Sequence, residues 1–289
     1  MKLSRRIGRF RLDLAIFWLL VTFALFVAAR SWLAEHPEHN PWAPLNLADP
    51  PGWATHHKLA ALRKDPAECR AVLERSNVAF EALPATGEDP CRREDRLVLP
   101  HAPLAPAAPQ TTCALAAGFD LWMRQGVQPA AEALFGKRVT RIKHLGAYNC
   151  RRTYGRETGQ WSEHSTGNAL DVAAFVLADG KRISVGADWR GEGREAAFLH
   201  KVRDAACQVF GTVLSPDYNA AHADHLHLDQ AARGFGGFCR QRETCVRLVC
   251  RECRRLSLVN EEDDVSRQRF CCAEVAYLVN EAAAFDIRL

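Results

Sequence analysis

Neither sign of charge dominates this chain of 289 residues: 38 Lys and Arg stand against 34 Asp and Glu, a net of +4. So weak a balance lacks the basic footprint of a nucleic-acid binder, and no nucleic-acid partner is expected. Internal repeats are lacking too. Hydrophobic residues make up 48% and charged residues 25%, which excludes a wholly disordered chain, a collagen-like fibre and a coiled coil. At ~100–200 residues per domain, the length suits one good-sized domain plus extras, or two small ones. Long uncharged apolar runs are also scarce, with one exception, the stretch LAIFWLLVTFALFVAA from Leu14 to Ala29. Cysteine is not scarce. Eleven are present, many for a cytosolic protein of this length, and they suggest an oxidising compartment.

The apolar run follows Lys2, Arg5, Arg6, Arg9 and Arg11. It falls short of the ~20 residues that span a bilayer comfortably, unless its flanks contribute. A cleaved signal peptide would use Val27-Ala28-Ala29 as its small-residue site. An uncleaved anchor is favoured by Trp18, Phe23 and Phe26, and by Arg30 and Trp32 at the far edge. A twin-Arg signal at Ser4-Arg5-Arg6 is discounted, because the run after it is too hydrophobic. Residues 1–35 are therefore read as a signal anchor in the inner membrane. The basic end stays cytoplasmic and the rest faces the periplasm.

Residues 36–110 read as tether, helix and linker. The stretch 36–56, rich in Pro, His, Asn and Trp, suggests an extended tether. Asp65-Pro66-Ala67-Glu68 predicts a capped helix start, with the helix running to about Arg75. Four prolines in 100–110 predict a second extended segment. Thr112 is placed to cap an amphipathic helix through Ala114, Leu115, Phe119 and Trp122. Strands are expected in 138–150, at 169–176, and at Arg182–Val185 as a hairpin partner across Ala178-Asp179-Gly180. A helix is expected over 194–210, with Gly211 just past its end. His225-Leu226-His227-Leu228-Asp229 alternates strictly, as a strand does. From Arg240 on, nine Arg, nine acids and five Cys form a Cys-rich tail (241–289) with poor periodicity and no readable role.

Two segments carry the chemistry: SEHSTGNALD at 162–171 and HADHLH at 222–227. Zinc takes N, O or S donors at ~2.0–2.3 Å, and a catalytic site leaves one position to water. His164 and Asp171 suit a loop leading into a strand, with Gly167 allowing the turn. His225 and His227, two apart, fall on one face of a strand. A lone His is more often a satisfied polar residue than a ligand, and HxH alone is weak. The ordered set makes the metal reading the better one.

Ser162-x-His164-x-x-Gly167-x-Ala169-x-Asp171 followed by His225-x-His227 resembles the LAS metallopeptidases, which include D-Ala-D-Ala carboxypeptidases, a murein endopeptidase and the hedgehog domain. The resemblance implies an α+β fold, a small antiparallel sheet flanked by helices, here preceded by one transmembrane helix. It implies Zn2+ held by His164, Asp171 and His227. His225 maps to the His that supports the attacking water or the transition state. His222 matches a His of the endopeptidase branch and is carried as substrate-binding. Asp224 occupies the position of the carboxypeptidase base, where the family has the longer Glu, so the base stays open between His225 and Asp224. Arg151, after Tyr148, matches a substrate-binding Arg, with Arg152 beside it as a rival and a solvated surface Arg nearly as good a reading. Ser162 is expected to cap or hydrogen-bond the ligand loop; Glu163, beside the first ligand, either orients it or, the better reading, lies at the surface.

More of the chain, from about 42 to 240, resembles the bacterial extensin-like C-terminal family. Its marks here are Tyr148-x-Cys150-Arg151, the run 162–172, Arg203-Asp204-x-x-Cys207, 210–214 and HADHLHLD. The metal-binding domain is set at 111–240. Six cysteines in the recognised region permit 15 pairings, and Cys150 is paired in expectation with Cys207 or Cys113. The expected function is zinc-dependent hydrolysis of amide bonds in peptidoglycan peptides. The alternative is a zinc-containing wall-binding scaffold without catalysis.

Overall fold

The computed structural model describes residues 2–232 and 238–239. The expected Cys-rich tail lies outside the described residues. The chain opens with α1 (Lys2–Glu35). Its part from Leu12 to Glu35 is long and apolar enough to cross a membrane, and none of it is buried. Such a helix fits a membrane span or a signal sequence. The segment expected as an extended tether is instead a succession of turns. Leu45 and Leu47 pull it onto the domain by burying their side chains.

Two short helices follow, α2 (Thr55–Leu62) and α3 (Pro66–Arg75). The α3 cap forms as read: the Asp65 carboxylate accepts from the Glu68 N–H at 3.0 Å, with Pro66 in the first turn. Glu68 does not complete a capping box, because its carboxylate pairs with Arg75 at 2.9 Å. β1 (Glu81–Leu83) and β2 (Arg96–Val98) form a small antiparallel pair. β3 (Leu104–Ala105) lies inside the proline-rich stretch.

Thr112 accepts from the Leu115 N–H and starts α4 (Cys113–Trp122). The helix is buried on all sides except at Asp120, so it is a core helix rather than an amphipathic one. A π-turn (Met123–Val127) joins it to α5 (Gln128–Phe135). The Gln128 N–H reaches back five residues to Met123, just before Pro129, which has no N–H to give. Among the described residues the remaining strands and α-helices are β4 (Val139–Gly146), β5 (Ala169–Leu177), β6 (Arg182–Ser184), α6 (Val185–Asp188), α7 (Arg194–Cys207), β7 (Thr212–Leu214), β8 (Leu226–Asp229) and β9 (Phe238–Cys239).

The architecture is α+β, as expected. The main sheet runs β3-β4-β5-β8-β7-β9, with β6 also pairing β5. The pairs β4–β5, β5–β8, β7–β8 and β5–β6 are antiparallel, and the outer β3–β4 and β7–β9 pairs are parallel. β8 and β6 share one edge of β5, β8 along its first half and β6 along its second.

Period-2 alternation sorts the two faces of β5 and β8. Leu170, Val172, Leu226 and Leu228 enter the apolar core with α4 and α7. Asp171 and His227, which are direct partners in the register, face the other way. Trp122 sits at the centre of the core, edge-on to Phe175 and Phe210, and its indole N–H donates to Val202 O at 2.8 Å. Leu47, Leu59, Leu73 and Leu97 join the same cluster, so the segment before 111 packs onto the sheet domain.

Among the described residues the disulfides are Cys69–Cys113, Cys91–Cys150 and Cys207–Cys239, so Cys150 pairs with neither Cys207 nor Cys113. Chain proximity, which sequence spacing does not encode, decides it. Cys113 is taken by α3, and Cys207 by β9. Also, α7 ends at Cys207, three residues before the expected end. Gly211 is no helix cap: a Cβ there would lie 2.1 Å from Ala231 O, so the glycine permits a close backbone approach.

Candidate metal centre

The site is built where β5 and β8 lie side by side, under the loop that precedes β5. That loop makes one short 3-10 turn, Glu163–Thr166. Ser162 caps the turn by accepting from the His164 N–H at 3.3 Å. Gly167 closes it with φ +74, in the left-handed region that glycine enters without a Cβ clash. The loop is pinned from behind. Asn168, fully buried, accepts from the Thr112 hydroxyl at 2.8 Å and donates to Glu163 at 2.7 Å. Glu163 in turn pairs with Arg63 at 2.8 Å. Glu163 is therefore a brace between the helical segment and the ligand loop.

Three side chains converge. His164 Nε2 lies 3.2 Å from the Asp171 carboxylate and 3.1 Å from His227 Nδ1, and His227 Nδ1 lies 2.9 Å from Asp171. The outward nitrogens are already engaged. His164 Nδ1 stands 3.1 Å from Ala147 O, a carbonyl that can only accept, so this nitrogen carries the proton. His227 Nε2 stands 3.0 Å from the Asp229 carboxylate, 3% exposed, which likewise only accepts. Fixing both tautomers this way leaves two imidazole lone pairs and a carboxylate aimed at one point. Three acceptors this close need a cation between them, a proton or a metal ion. A tetrahedral ion at ~2.0–2.1 Å would hold its ligand atoms about 3.3 Å apart, close to the spacing present. His164, Asp171 and His227 are thus one group able to hold a metal ion.

Asp171 and His227 shift each other's ionisation. Burial works against ionisation of Asp171, but hydrogen bonds and charge from His164 and His227 outweigh it and hold the carboxyl far below the usual range. Burial would lower His227, yet its bonds to Asp171 and Asp229 raise it to about 9. His227 therefore keeps a proton at neutral pH beside the ionised Asp171.

The other expected site residues fall around this centre. His225 lines the cleft with Nε2 3.8 Å from Asp171, while its Nδ1 bonds Asp224 at 2.8 Å. Asp224, 72% exposed, does not line the cleft and reaches it only through His225. His225 precedes β8 rather than lying in it, but still faces the same cavity as His227. His222 is buried, and its Nδ1 bonds Asn219 Oδ1 at 2.8 Å. Desolvation first, then the neighbouring His227 and His225, lowers its pKa to about 4, so it is neutral at pH 7. Arg151 is exposed at the rim of the cleft. Arg152 is occupied: its guanidinium covers the Trp161 ring at 4.4 Å and donates to Gly159 O.

The cleft has a volume of about 410 Å³. One wall is the strap 151–161, which the Cys91–Cys150 disulfide fastens at its start. Tyr154 bends the strap with φ +58, a conformation uncommon outside glycine. Its hydroxyl accepts from Asn219 Nδ2 at 3.0 Å, which links the strap to the His222 wall.

Sequence reasoning missed Asp229, Asn219, Asn168 and Tyr154. Asp229 was within reach of it, because the alternation that puts His225 and His227 on one face continues to 229. Asn168 and Tyr154 also act through partners more than fifty residues away, Thr112 and Asn219, and Asn219 holds His222 through a local contact that no motif marks.

Among curated proteins and among solved structures, nothing matches the chain. The family described as "Extensin-like protein C-terminus" matches residues 67–240, more than half of the chain and all of the cleft described above. By that match the protein belongs to the extensin-like C-terminal family.

Proposed function

We propose that this protein is a zinc-dependent hydrolase of amide bonds in peptidoglycan peptides, anchored by α1 in the inner membrane with its cleft in the periplasm. The observation that carries the reading is the convergence of two imidazole lone pairs, on His164 and His227, with the Asp171 carboxylate. Such a 2-His-1-carboxylate set fits Zn2+ and leaves coordination open. Zinc bound there would polarise a scissile carbonyl and acidify a water.

The chain's own groups supply the rest. His225 is placed to take the water's proton at Nε2 and deliver it to the leaving amine. Asp224 accepts the Nδ1–H of that ring and orients it, so of the two candidate bases His225 is the one at the cleft. Neutral His222 keeps its Nδ1 proton on Asn219, so its Nε2 is an acceptor for a substrate N–H. Arg151 at the rim offers a fork of donors for a substrate carbonyl or carboxylate. Ser162 steadies the His164 loop. The exposed Leu12–Glu35 helix and three disulfides suit an exported, membrane-held protein.

The test uses the full chain in detergent. Zinc content and muropeptide cleavage are measured for wild type, His227→Ala and His225→Ala. The hydrolase reading expects zinc in wild type and in His225→Ala, and cleavage in wild type alone. A wild-type protein that takes up no zinc sinks the reading. Zinc without cleavage would leave the non-catalytic scaffold.

A further inference from the structure

The stretch just beyond α1 does nothing for the cleft, yet its surface composition is odd for a water-facing segment. From Pro41 to Trp53 the only charged residue is Asp49. The segment is not loose. Leu45 and Leu47 are buried, Ser76 and Gln125 hold the backbone at Leu47 and Ala48, and the Arg75 guanidinium donates to Leu45 O. With the leucines turned inward, the outward positions are Trp42, Pro44, Ala48, Pro50 and Trp53. Trp42 is 82% exposed and Trp53 64%.

The Trp53 end of this surface is tied to the apolar helix. Trp32, in the last turns of α1, stacks on His36 at 4.4 Å and His39 at 5.3 Å, and His39 stacks on Trp53 at 6.1 Å. His39 Nδ1 also accepts the Trp53 N–H at 3.3 Å. The column fixes Trp53 relative to the helix end. Lys58 lies beneath it, bonded to Pro37 O and close to both Asp49 and Glu38, so the local charges answer one another. Pro51, Trp53 and His39 also edge a shallow groove of about 440 Å³.

Tryptophan partitions to the headgroup layer, where its ring is half-solvated and its N–H keeps a polar partner. We propose that the Trp42–Trp53 surface is a membrane-docking face that rests on the headgroup layer of the bilayer crossed by α1. The inference rests on α1 being retained as an anchor. Docking holds the domain against one leaflet instead of letting it swing on a tether, and so fixes the height of the cleft above the membrane.

The test is lipid quenching of tryptophan fluorescence, with the full chain reconstituted in phosphatidylcholine vesicles whose acyl chains carry bromine near the headgroup. Difference spectra against Trp42→Phe/Trp53→Phe isolate the docking face, and spectra against Trp18→Phe isolate the span. The proposal expects the Trp42/Trp53 signal to be blue-shifted and quenched along with the Trp18 signal. A quenched Trp18 with a red, unquenched Trp42/Trp53 signal overturns docking and leaves the anchor standing. A blue but unquenched Trp42/Trp53 signal also overturns it, since a protein then covers the face. No quenching of either signal overturns the anchor and the proposal together.

Discussion

Asp229 touches no substrate in this account, yet the geometry of the centre depends on it. Its carboxylate holds the Nε2 proton of His227 and so selects Nδ1 as the inward atom. Replacing it by Asn keeps the shape but weakens the acceptor. Asp229→Asn is expected to lower zinc affinity about 10–100-fold, as loss of an outer-shell partner does. Competition with a chromophoric chelator measures it, and an unchanged affinity would mean that His227 is oriented by packing alone. His222 gives a second handle. Its pKa is depressed to about 4, so between pH 6.5 and 4 the unfolded chain binds a proton that the native state refuses. The stability of the metal-free protein should therefore fall as pH drops through that window. In His222→Gln the fall should be shallower. Thermal unfolding of both proteins at pH 7 and pH 4.5 checks it, and parallel losses would contradict it.

Among the elements, the strap 151–161 and the β5–β8 pair divide the work. The strands place Asp171 opposite His227 by register, and the strap roofs the cleft from a disulfide at Cys150. The Cys91–Cys150 bridge closes a separation of 59 residues. Its removal in Cys91→Ala/Cys150→Ala is expected to cost about 2–4 kcal/mol in denaturant unfolding. Under the hydrolase proposal, cleavage should fall further than zinc content, because His164, Asp171 and His227 stand on the sheet and the turn before it. Equal losses of both would show that the strap supports the metal centre itself.

The parts legible in the sequence are those with local signatures. Asp65 and Thr112 announce their caps, 169–176 and 225–229 announce strands, and 162–171 announces the ligand loop. What was not legible depends on contacts between distant segments. The partner of Cys150 is set by where 81–98 folds back. Gly211 mimics a helix stop, but answers to Ala231 twenty residues later. The 36–56 stretch has a linker's composition, yet two leucines in it are enough to turn it into the flank of the core.

For the whole molecule, an apolar N-terminal helix leads into a domain whose main sheet packs helices on one side and opens a cleft on the other. The disulfides join α3 to α4, the strap to the loop at Cys91, and α7 to β9. These crosslinks hold the surroundings of the cleft rather than His164, Asp171 and His227, which are placed by the turn before β5 and by the β5–β8 register. The proposed function requires His164, Asp171 and His227 to share one ion, and the most direct measurement is X-ray absorption at the zinc edge on the purified, zinc-loaded full chain. The predicted spectrum shows two nitrogen neighbours and carboxylate oxygen at ~2.0–2.2 Å, at one zinc per chain, and Asp171→Ala loses the ion. A zinc shell of sulfur ligands, or undiminished zinc in Asp171→Ala, would contradict it.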